Sequence, residues 1–336
     1  MTVRLKDIAS DLNLSKMTIS KVLRGQTDVS AATKARVLQR MKELNYRPNI
    51  SARSLRTGST LSIGLVIPSL SNPFFSEVAS GLVQAVRAAG YSVSISSAED
   101  DPELERREIE LQLSRQVDAL IVASVQESGE FFTSLGSQRA PLILVGRKLP
   151  SVAAHSIGLK DEEVGYVAAA HLLGGGCKRV AYLRGPRTAA ADRSWSGYRT
   201  ALDEFHVPYR PELVVEWGES DRSQYQRGLD AMTRLLAGRA RPDGVMAYTD
   251  LVAVGMMDAA LEKQMRIPED IAVIGSGNLA AARELRISLT SVDLAGLEIG
   301  QKVAKLVLRA MSADKVLPGR SVLVSPRVVV RRSTRN

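Results

Sequence analysis

The fold of the first sixty residues is decided by the stretch Leu14-Ser15-Lys16-Met17-Thr18-Ile19-Ser20-Lys21-Val22-Leu23. Ile19, Val22 and Leu23 recur at helical spacing and form an inward stripe, so a helix is predicted from Lys16 to Leu23. Ser15 precedes this helix as a candidate N-cap. The remaining side chains of this predicted helix are polar, basic or methionine, and they face outward or lie at the margins.

One helix on each side of this stretch completes a small unit. Apolar residues at helical spacing run from Leu5 to Leu12 before it, and Ser30 caps a third helix whose apolar positions run from Val37 to Leu44. This pattern predicts a helix-turn-helix, whose second helix can enter the roughly 12 Å wide major groove of DNA. The alternative is a solvated bundle of three helices with no role in nucleic-acid binding.

The distribution of charge favours DNA over that alternative. The chain has 336 residues and a net charge of +9, and residues 1–60 hold 12 basic and 4 acidic side chains, a net of +8. Lys and Arg bind phosphate without regard to sequence, whereas base discrimination needs the outward side chains of the second helix. Lys16 and Lys21 can donate to guanine, and Met17 can contact a thymine methyl group.

Length and composition exclude several classes of protein. A chain of 336 residues with 45% hydrophobic residues predicts at least two domains with real cores. The single cysteine, Cys177, excludes an internal disulfide framework, and His155, His171 and His206 lack metal-ligand spacing. No apolar run approaches the roughly 18 residues of a membrane span, and the start of the chain lacks an export signal. We therefore expect a cytoplasmic protein without a metal or other cofactor.

From Leu61 onward, short apolar runs alternate with amphipathic helical stretches. Strands are predicted at residues 61–67, 91–96, 118–123, 141–145, 179–183, 213–216, 244–247 and 271–274. Repeated strand, helix, strand units need crossover connections, so two parallel-sheet α/β subdomains are predicted. A late strand within 322–330 is expected to join the second sheet.

Further motifs accompany the stretch quoted above. They are Val3-Arg4-Leu5-Lys6-Asp7-Ile8-Ala9, Leu44-Asn45-Tyr46-Arg47-Pro48-Asn49, Ala52-Arg53-Ser54-Leu55, Ser71-Asn72-Pro73-Phe74-Phe75, Ile267-Pro268-Glu269-Asp270-Ile271 and Leu289-Thr290-Ser291-Val292. With these motifs the chain resembles the LacI/GalR family of bacterial transcription regulators over nearly its whole length. Arg4 is a departure, because the family usually has a threonine there that contributes to the first helix cap.

The resemblance implies the fold class and the domain organisation. It implies a small all-α helix-turn-helix headpiece plus an α/β effector-binding core of the type I periplasmic binding-protein fold, with two parallel-sheet subdomains. The headpiece is expected at 1–47, a hinge helix and linker at 48–60 and the core at 61–336. Within the core, the first subdomain is expected at 61–157 and 290–319, and the second at 158–289 and 320–333.

The resemblance also assigns DNA contacts to the headpiece and the hinge. In the family, paired hinge helices form on operator DNA; Ala52 lets them approach closely, Leu55 is a wedge in the minor groove, and Arg53 lies near phosphate. The alternative for Leu55 is packing against the larger domain. The candidate DNA-binding residues are Ser15, Lys16, Met17, Thr18, Ser20, Lys21, Arg24, Ser30, Thr33, Tyr46, Asn49, Ala52, Arg53 and Leu55.

The predicted effector site is the cleft between the two sheets, because ligands of open α/β sheets bind beyond the carboxyl ends of the strands. Relatives that bind neutral sugars often have carboxylates where this chain has Gly146, Lys160 and Gly277. These replacements, near Arg147 and Arg193, predict a positive cleft and an anionic effector such as a sugar acid or sugar phosphate. The alternative is a neutral ligand with these cations exposed. The candidate effector-binding residues are Asn72, Phe74, Phe75, Arg147, Lys160, Arg193, Thr249, Asp250 and Asn278.

The sequence thus predicts a transcription regulator, more specifically a repressor, and not an enzyme. Its expected partners are double-stranded operator DNA, a small-molecule effector and a second copy of the chain in a homodimer. No association with a membrane is expected. Lys16-Met17-Thr18 and residues 68–91 also resemble gluconate-type repressors. The alternatives are a solute-binding protein, which leaves the basic headpiece unexplained, and an enzyme on a sugar-binding fold, for which no convergent acid, base or nucleophile is present.

Overall fold

The structure is a computed structural model that describes residues 3–23, 26, 28–46, 54, 58–135, 140–149, 151–217, 222–313 and 319–335. The chain divides into two compact units, residues 1–60 and 61–336. No helix within the described residues is long and apolar enough to span a bilayer.

Three helices of the first unit pack around one apolar core. The helices are α1 (Leu5–Asp11), α2 (Lys16–Leu23) and α3 (Ala31–Glu43). Their buried side chains are Ile8, Ala9, Ile19, Val22, Val37 and Met41. The predicted helix from Lys16 to Leu23 is confirmed at both ends, because its inward stripe packs against the other two helices.

The first helix begins without a side-chain cap. Arg4 occupies the N-cap position and its side chain accepts no hydrogen bond from the helix. Asp7 compensates in part, because its carboxylate accepts the Arg4 backbone N–H at 2.8 Å. An acidic side chain in the first turn also interacts favourably with the helix dipole.

The second unit contains two six-stranded sheets, each with helices on both faces. The first sheet has the order β11-β5-β4-β3-β1-β2, and all its strands are parallel. Its strands are β1 (Ser62–Ile67), β2 (Ser92–Ser97), β3 (Ala119–Val122), β4 (Leu142–Val145), β5 (His155–Leu159) and β11 (Ser321–Val324). Its helices are α4 (Pro73–Arg87), α5 (Pro102–Ser114), α6 (Glu130–Ser134) and α12 (Gly296–Met311).

The second sheet has the order β12-β10-β9-β8-β6-β7, and only the β10–β12 pair is antiparallel among its described strands. Its strands are β6 (Val180–Leu183), β7 (Val214–Val215), β8 (Gly244–Ala247), β9 (Ala272–Ser276), β10 (Thr290–Asp293) and β12 (Arg327–Val329). Its helices are α7 (Asp161–Gly174), α8 (Ala189–Glu204), α9 (Gln224–Ala237), α10 (Asp250–Glu262) and α11 (Ala281–Glu284), and a short 3₁₀ turn covers Pro211–Leu213.

Neighbouring helices pack backbone to backbone through glycines. In the α7–α8 pair, a Cβ on Gly165 would lie 1.8 Å from the Ser194 carbonyl oxygen, and a Cβ on Gly197 would lie 1.9 Å from that of Glu162. Any larger side chain at either position must therefore separate the two helices. The α4–α12 and α9–α10 pairs repeat this arrangement with the glycines Gly81, Gly300, Gly228 and Gly255.

The chain crosses between the sheets at points that differ from the sequence prediction. The predicted first-subdomain segment 290–319 begins with β10, which instead pairs with β9 in the second sheet. The late strand expected over 322–330 is two strands, of which β11 joins the first sheet and β12 the second. The strand β5 was not predicted, because His155-Ser156-Ile157-Gly158-Leu159 is a mixed polar and apolar run that only its neighbours β4 and β11 bury.

Candidate DNA-reading helix and effector cleft

Helix α2 separates its residues into a buried and an exposed face. Ile19 is fully buried and Val22 is 3% exposed, whereas Met17 is 62% exposed and Lys16 is also exposed. Lys16 has no carboxylate within ion-pair distance among the residues that the structure describes. A large apolar side chain beside an unpaired cation suits contact with the methyl groups and acceptor atoms of base edges.

The hydroxyl residues predicted to bind DNA have a structural role as well. Ser15 Oγ accepts the Thr18 N–H at 3.0 Å and lies 2.9 Å from the Thr18 hydroxyl. Ser30 Oγ accepts the Thr33 N–H at 3.2 Å and donates to the Thr33 hydroxyl. Both serines thus cap the helices predicted from the sequence. Both remain exposed, so their hydroxyls stay within reach of a phosphate.

Lys21 forms an ion pair that the sequence did not predict, with Asp28. An exposed pair of this kind contributes at most about 1 kcal/mol, so a phosphate or guanine can displace Asp28 at small cost. Ser20 is half-buried on the same helix. Tyr46 is half-buried against the headpiece core, and burial raises the pKa of its hydroxyl.

Five predicted DNA-binding residues lie outside the described residues: Arg24, Asn49, Ala52, Arg53 and Leu55. Their assignments stay predictions from the sequence. The same holds for most of the predicted hinge at 48–60.

The predicted effector residues all lie beyond the carboxyl ends of strands or at the start of the helices that follow. On the side of the first sheet, Asn72 caps α4, because its Oδ1 accepts the Phe74 N–H at 3.1 Å. Phe74 and Phe75 pack edge to face with ring centroids 5.2 Å apart, and both are half-buried. The two rings offer an apolar surface that can stack on a sugar or on another flat face of a ligand.

On the side of the second sheet, Asp250 is buried rather than presented to a ligand. It is 1% exposed, its Oδ1 accepts the Ser291 hydroxyl at 2.5 Å, and its Oδ2 accepts the Leu279 N–H at 2.6 Å. Burial raises the pKa of its carboxyl in spite of these bonds. Thr249 caps α10 by accepting the Val252 N–H at 3.3 Å and donates to Gln224 at 2.7 Å. We therefore do not retain Asp250 as a direct contact.

Two of the three predicted cations are neutralised by neighbouring carboxylates. Lys160 donates to Glu163 at 2.7 Å, and Arg193 donates twice to one oxygen of Asp161, at 2.7 and 3.1 Å. Burial raises the pKa of Asp161 even with Arg193 beside it. Arg147 differs, because it donates to the Gln126 carbonyl and its Nε is buried without an acceptor among the described residues.

Two side chains at this end of the sheets, Tyr248 and Glu77, were not predicted as ligand contacts. The Tyr248 ring packs edge to face on Trp217 at 5.9 Å and touches Gly185 so closely that a Cβ there would lie 2.3 Å from the ring. Glu77 is half-buried without a hydrogen bond among the described residues, and burial raises the pKa of its carboxyl, with Asp293 and Asp250 adding to the effect. The sequence feature that could have identified Tyr248 is its position directly after a buried strand.

Comparison with known proteins identifies the family. Residues 4–49 match the model described as bacterial regulatory proteins, lacI family, and residues 169–334 match the periplasmic binding protein-like domain. The chain thus has a LacI-family helix-turn-helix domain followed by a periplasmic binding protein-like domain, and its full-length relatives are LacI-family regulators. The predicted fold class is confirmed: a LacI helix-turn-helix region precedes a periplasmic-binding-protein-like α/β core with two mainly parallel sheets.

Full-length relatives of this LacI-family chain are regulators, not enzymes. It is 28% identical over 338 residues to catabolite control protein A of Priestia megaterium, covering 100% of both chains. It is 28% identical to the transcriptional repressor PurR of Mannheimia succiniciproducens, covering 98% of each. Among solved structures it resembles a LacI-family regulator from Silicibacter pomeroyi (TM-score 0.79, 25% identity, 99% and 100% covered). The fold of the lac repressor dimer bound to operator and the anti-inducer ONPF is also similar (TM-score 0.83, 22% identity, 100% of both chains).

Proposed function

We propose that this LacI-family protein is a repressor that binds a near-palindromic operator as a homodimer and is controlled by a small carbohydrate metabolite in the core cleft. Each headpiece reads a half-site with α2, while the paired hinge segments wedge the minor groove. The effector changes the relative orientation of the two core subdomains. Its influence on DNA affinity is limited by its differential affinity for the two states. Because bacterial DNA lies in the cytoplasm, that is the proposed location.

The observation that carries the DNA-binding part is the outer face of α2. Met17 and Lys16 project from a helix whose other face is fixed in the headpiece core, and the surrounding unit has a net charge of +8. An exposed methionine beside an exposed lysine offers base edges in the major groove both an apolar contact and a hydrogen-bond donor.

The test begins with selection of binding sites from a random duplex library by the full-length protein. Gel-shift affinities for the selected duplex and for a random competitor are then measured at two salt concentrations. We expect Lys16→Ala to weaken specific binding about tenfold and to relax preference at one base pair, because a good base contact is worth roughly 1–3 kcal/mol. Lys34→Ala removes an exposed lysine of the same unit and is the matched control; it should weaken binding to both duplexes alike. Failure to prefer any duplex contradicts the proposal.

The wedge role of Leu55 has its own test. Leu55→Ala should weaken operator binding and reduce DNA bending, because the bend depends on an apolar side chain inserted between base pairs. Effector affinity should stay within twofold of the unaltered protein. Full bending by this variant in a circular-permutation gel assay contradicts the wedge.

For the effector, we propose an anionic carbohydrate metabolite, a sugar acid or a sugar phosphate. Support comes chiefly from Arg147, which donates to a neutral carbonyl and whose Nε lacks an acceptor within the described part of the chain, although the buried carboxylate of Glu105 lies close enough to lower its net field. Lys160 and Arg193 contribute less than expected from the sequence, since each is already paired with a carboxylate.

Calorimetric titration tests this assignment with gluconate, glucuronate and glucose 6-phosphate against glucose. We expect binding of at least one anion, and Arg147→Gln should weaken it tenfold or more, because a charge-assisted hydrogen bond contributes roughly 1.5–3 kcal/mol. Arg147→Lys should restore part of the affinity. Lys263→Gln alters an exposed cation immediately after α10 and serves as the control. Tight binding of the neutral sugar alone contradicts an anionic effector.

A further inference from the structure

The opposite end of the second sheet carries an arginine-rich pocket that the proposed function does not use. After β12, residues 331–335 run alongside the amino ends of β9 and β10, where the Val273 N–H donates to the Ser333 carbonyl at 2.8 Å. The candidate effector residues lie at the carboxyl ends of the strands. The pocket therefore lies toward the amino ends of the strands, and Arg331, which lines it, extends as far as Asn278.

The charge of this segment is only partly compensated, because Arg327 pairs with Asp293 at 3.0 Å. Residues 319–335 contain five arginines and no aspartate or glutamate. Arg331, Arg332 and Arg335 have no carboxylate within ion-pair distance in the described ranges. The nearby Arg266, by contrast, holds Asp270 with two side-chain bonds of 2.6 and 2.9 Å.

The acceptors of these three guanidinium groups are mainly backbone carbonyls. Arg332 donates to the Arg286 carbonyl at 3.3 Å and Arg335 to that of Glu269 at 2.5 Å, while Arg331 donates to the Leu289 carbonyl at 2.6 Å. A carbonyl accepts a hydrogen bond without neutralising the charge, and each guanidinium has five N–H donors. Donors therefore remain for an anion with several oxygens.

The shape of the pocket suits a small organic molecule. Its volume is about 330 Å³, at the lower end of the range for ligand sites. Ile267, Ile287 and Pro268 give it an apolar wall, and Arg331 and Arg332 line the polar side. Glu269 also lines the pocket, so a ligand must place its anionic group toward the arginines and away from this carboxylate.

We propose that this pocket binds a small organic anion whose phosphate or carboxylate group contacts Arg331 and Arg332 and whose apolar body packs on Ile267 and Ile287. Burial lowers the pKa of Arg331 and the neighbouring Arg283 lowers it further, whereas Asp250 and Asp293 raise it. An anion in the pocket offsets the repulsion between Arg331 and Arg283. The pairing is the one that guanidinium groups favour with planar or tetrahedral oxyanions.

Occupancy of this pocket is coupled to the effector cleft through one side chain. Arg331 also donates to the Asn278 amide oxygen, and Asn278 follows the carboxyl end of β9 at the cleft. An anion that draws Arg331 toward the pocket weakens the hydrogen bond between Arg331 and Asn278. The pocket ligand and the cleft effector therefore alter each other's affinity by the same factor. This coupling rests on the proposed function, whereas the pocket itself does not.

The experiment titrates the full-length protein with phenyl phosphate and with benzoate by calorimetry, so that the two anionic groups are distinguished. We expect Arg332→Gln to weaken the better probe at least tenfold, since Arg332 is exposed and its loss leaves the fold intact. Arg239→Gln, an exposed arginine elsewhere on this subdomain, should change the affinity less than twofold. Absence of binding tighter than about 10 mM overturns the proposal. Equal losses in both variants also overturn it, because they indicate general attraction of anions to the surface.

The Arg147→Gln variant separates this pocket from the cleft. We expect it to bind the probe as the unaltered protein does. If it loses the probe while Arg332→Gln retains it, the anion occupies the cleft and the pocket proposal is wrong. Loss of operator preference contradicts the proposed function but leaves the probe titration unchanged.

Discussion

Removal of the Asp250 carboxylate tests whether its hydrogen bonds to Ser291 and Leu279 stabilise the loop at the edge of the cleft. In Asp250→Ala, the buried hydroxyl of Ser291 and the half-buried N–H of Leu279 each lose their acceptor. An unsatisfied buried polar group costs about 1–3 kcal/mol, so we expect the free energy of unfolding to fall by about 2–4 kcal/mol. Asp250→Asn keeps one acceptor oxygen and should lose about half as much.

Urea denaturation followed by tryptophan fluorescence measures this loss. Both tryptophans, Trp195 and Trp217, lie in the second subdomain, so the signal reports the part of the molecule that contains Asp250. Glu262→Gln alters an exposed carboxylate of the same helix and should change stability by less than about 0.5 kcal/mol. A loss below 1 kcal/mol in Asp250→Ala, measured against this control, refutes the assigned role.

The pH dependence of the asparagine variant gives a second readout. Burial raises the pKa of Asp250 above its ordinary value of 3.8, so the folded protein binds this proton more tightly than the unfolded chain does. The contribution of Asp250 to the free energy of unfolding therefore decreases as pH rises from about 3.8 through the raised pKa. We expect the gap between the wild type and Asp250→Asn to be smaller at pH 7 than at pH 4. A gap that widens contradicts the direction of the shift.

Three further perturbations probe other parts of the chain. Gly197→Ala forces a methyl group against a backbone carbonyl of α7, so the free energy of unfolding measured in urea should fall by about 1–3 kcal/mol. At Gly174 an added methyl group meets nothing within 4 Å, so Gly174→Ala should leave stability unchanged or raise it. Asp28→Ala removes the ion-pair partner of Lys21, so binding to random duplex should become stronger and more dependent on salt. Unchanged binding shows that Lys21 and Asp28 do not form the ion pair in solution. Burial raises the pKa of the Cys177 thiol to about 11, so a thiol reagent at pH 8 should label it slowly in the folded protein and rapidly in urea.

The headpiece was predicted almost residue by residue, because its structure depends on local signals. The apolar spacing of Ile19 and Val22 sets the inner face of α2, and serine caps mark where α2 and α3 begin. The ion pair between Lys21 and Asp28 escaped prediction. These residues are seven apart, and Asp28 lies beyond the end of α2 at Leu23, so helical spacing within α2 does not predict the pair.

The sequence predicted where the candidate cleft residues lie in their sheets, but it did not predict how their charges are paired. Parallel strands bring their carboxyl ends to one edge, which places Asn72, Arg147 and Thr249 at the expected end of their sheets. Counting charges along the chain suggested that Lys160 and Arg193 would make that edge positive. The structure pairs both with carboxylates, and pairing depends on which side chains folding brings within a few ångströms.

Sequence alone determined the helix-turn-helix, the alternation of strands and helices, and the family to which the chain belongs. These features depend on periodicity and on motifs, which are properties of neighbouring residues. Tertiary structure decided that Asp250 is buried, that β10 joins the second sheet, and that Arg331 connects a basic pocket to Asn278. Each of these results depends on contacts between residues far apart in the chain, and local spacing carries no information about such contacts.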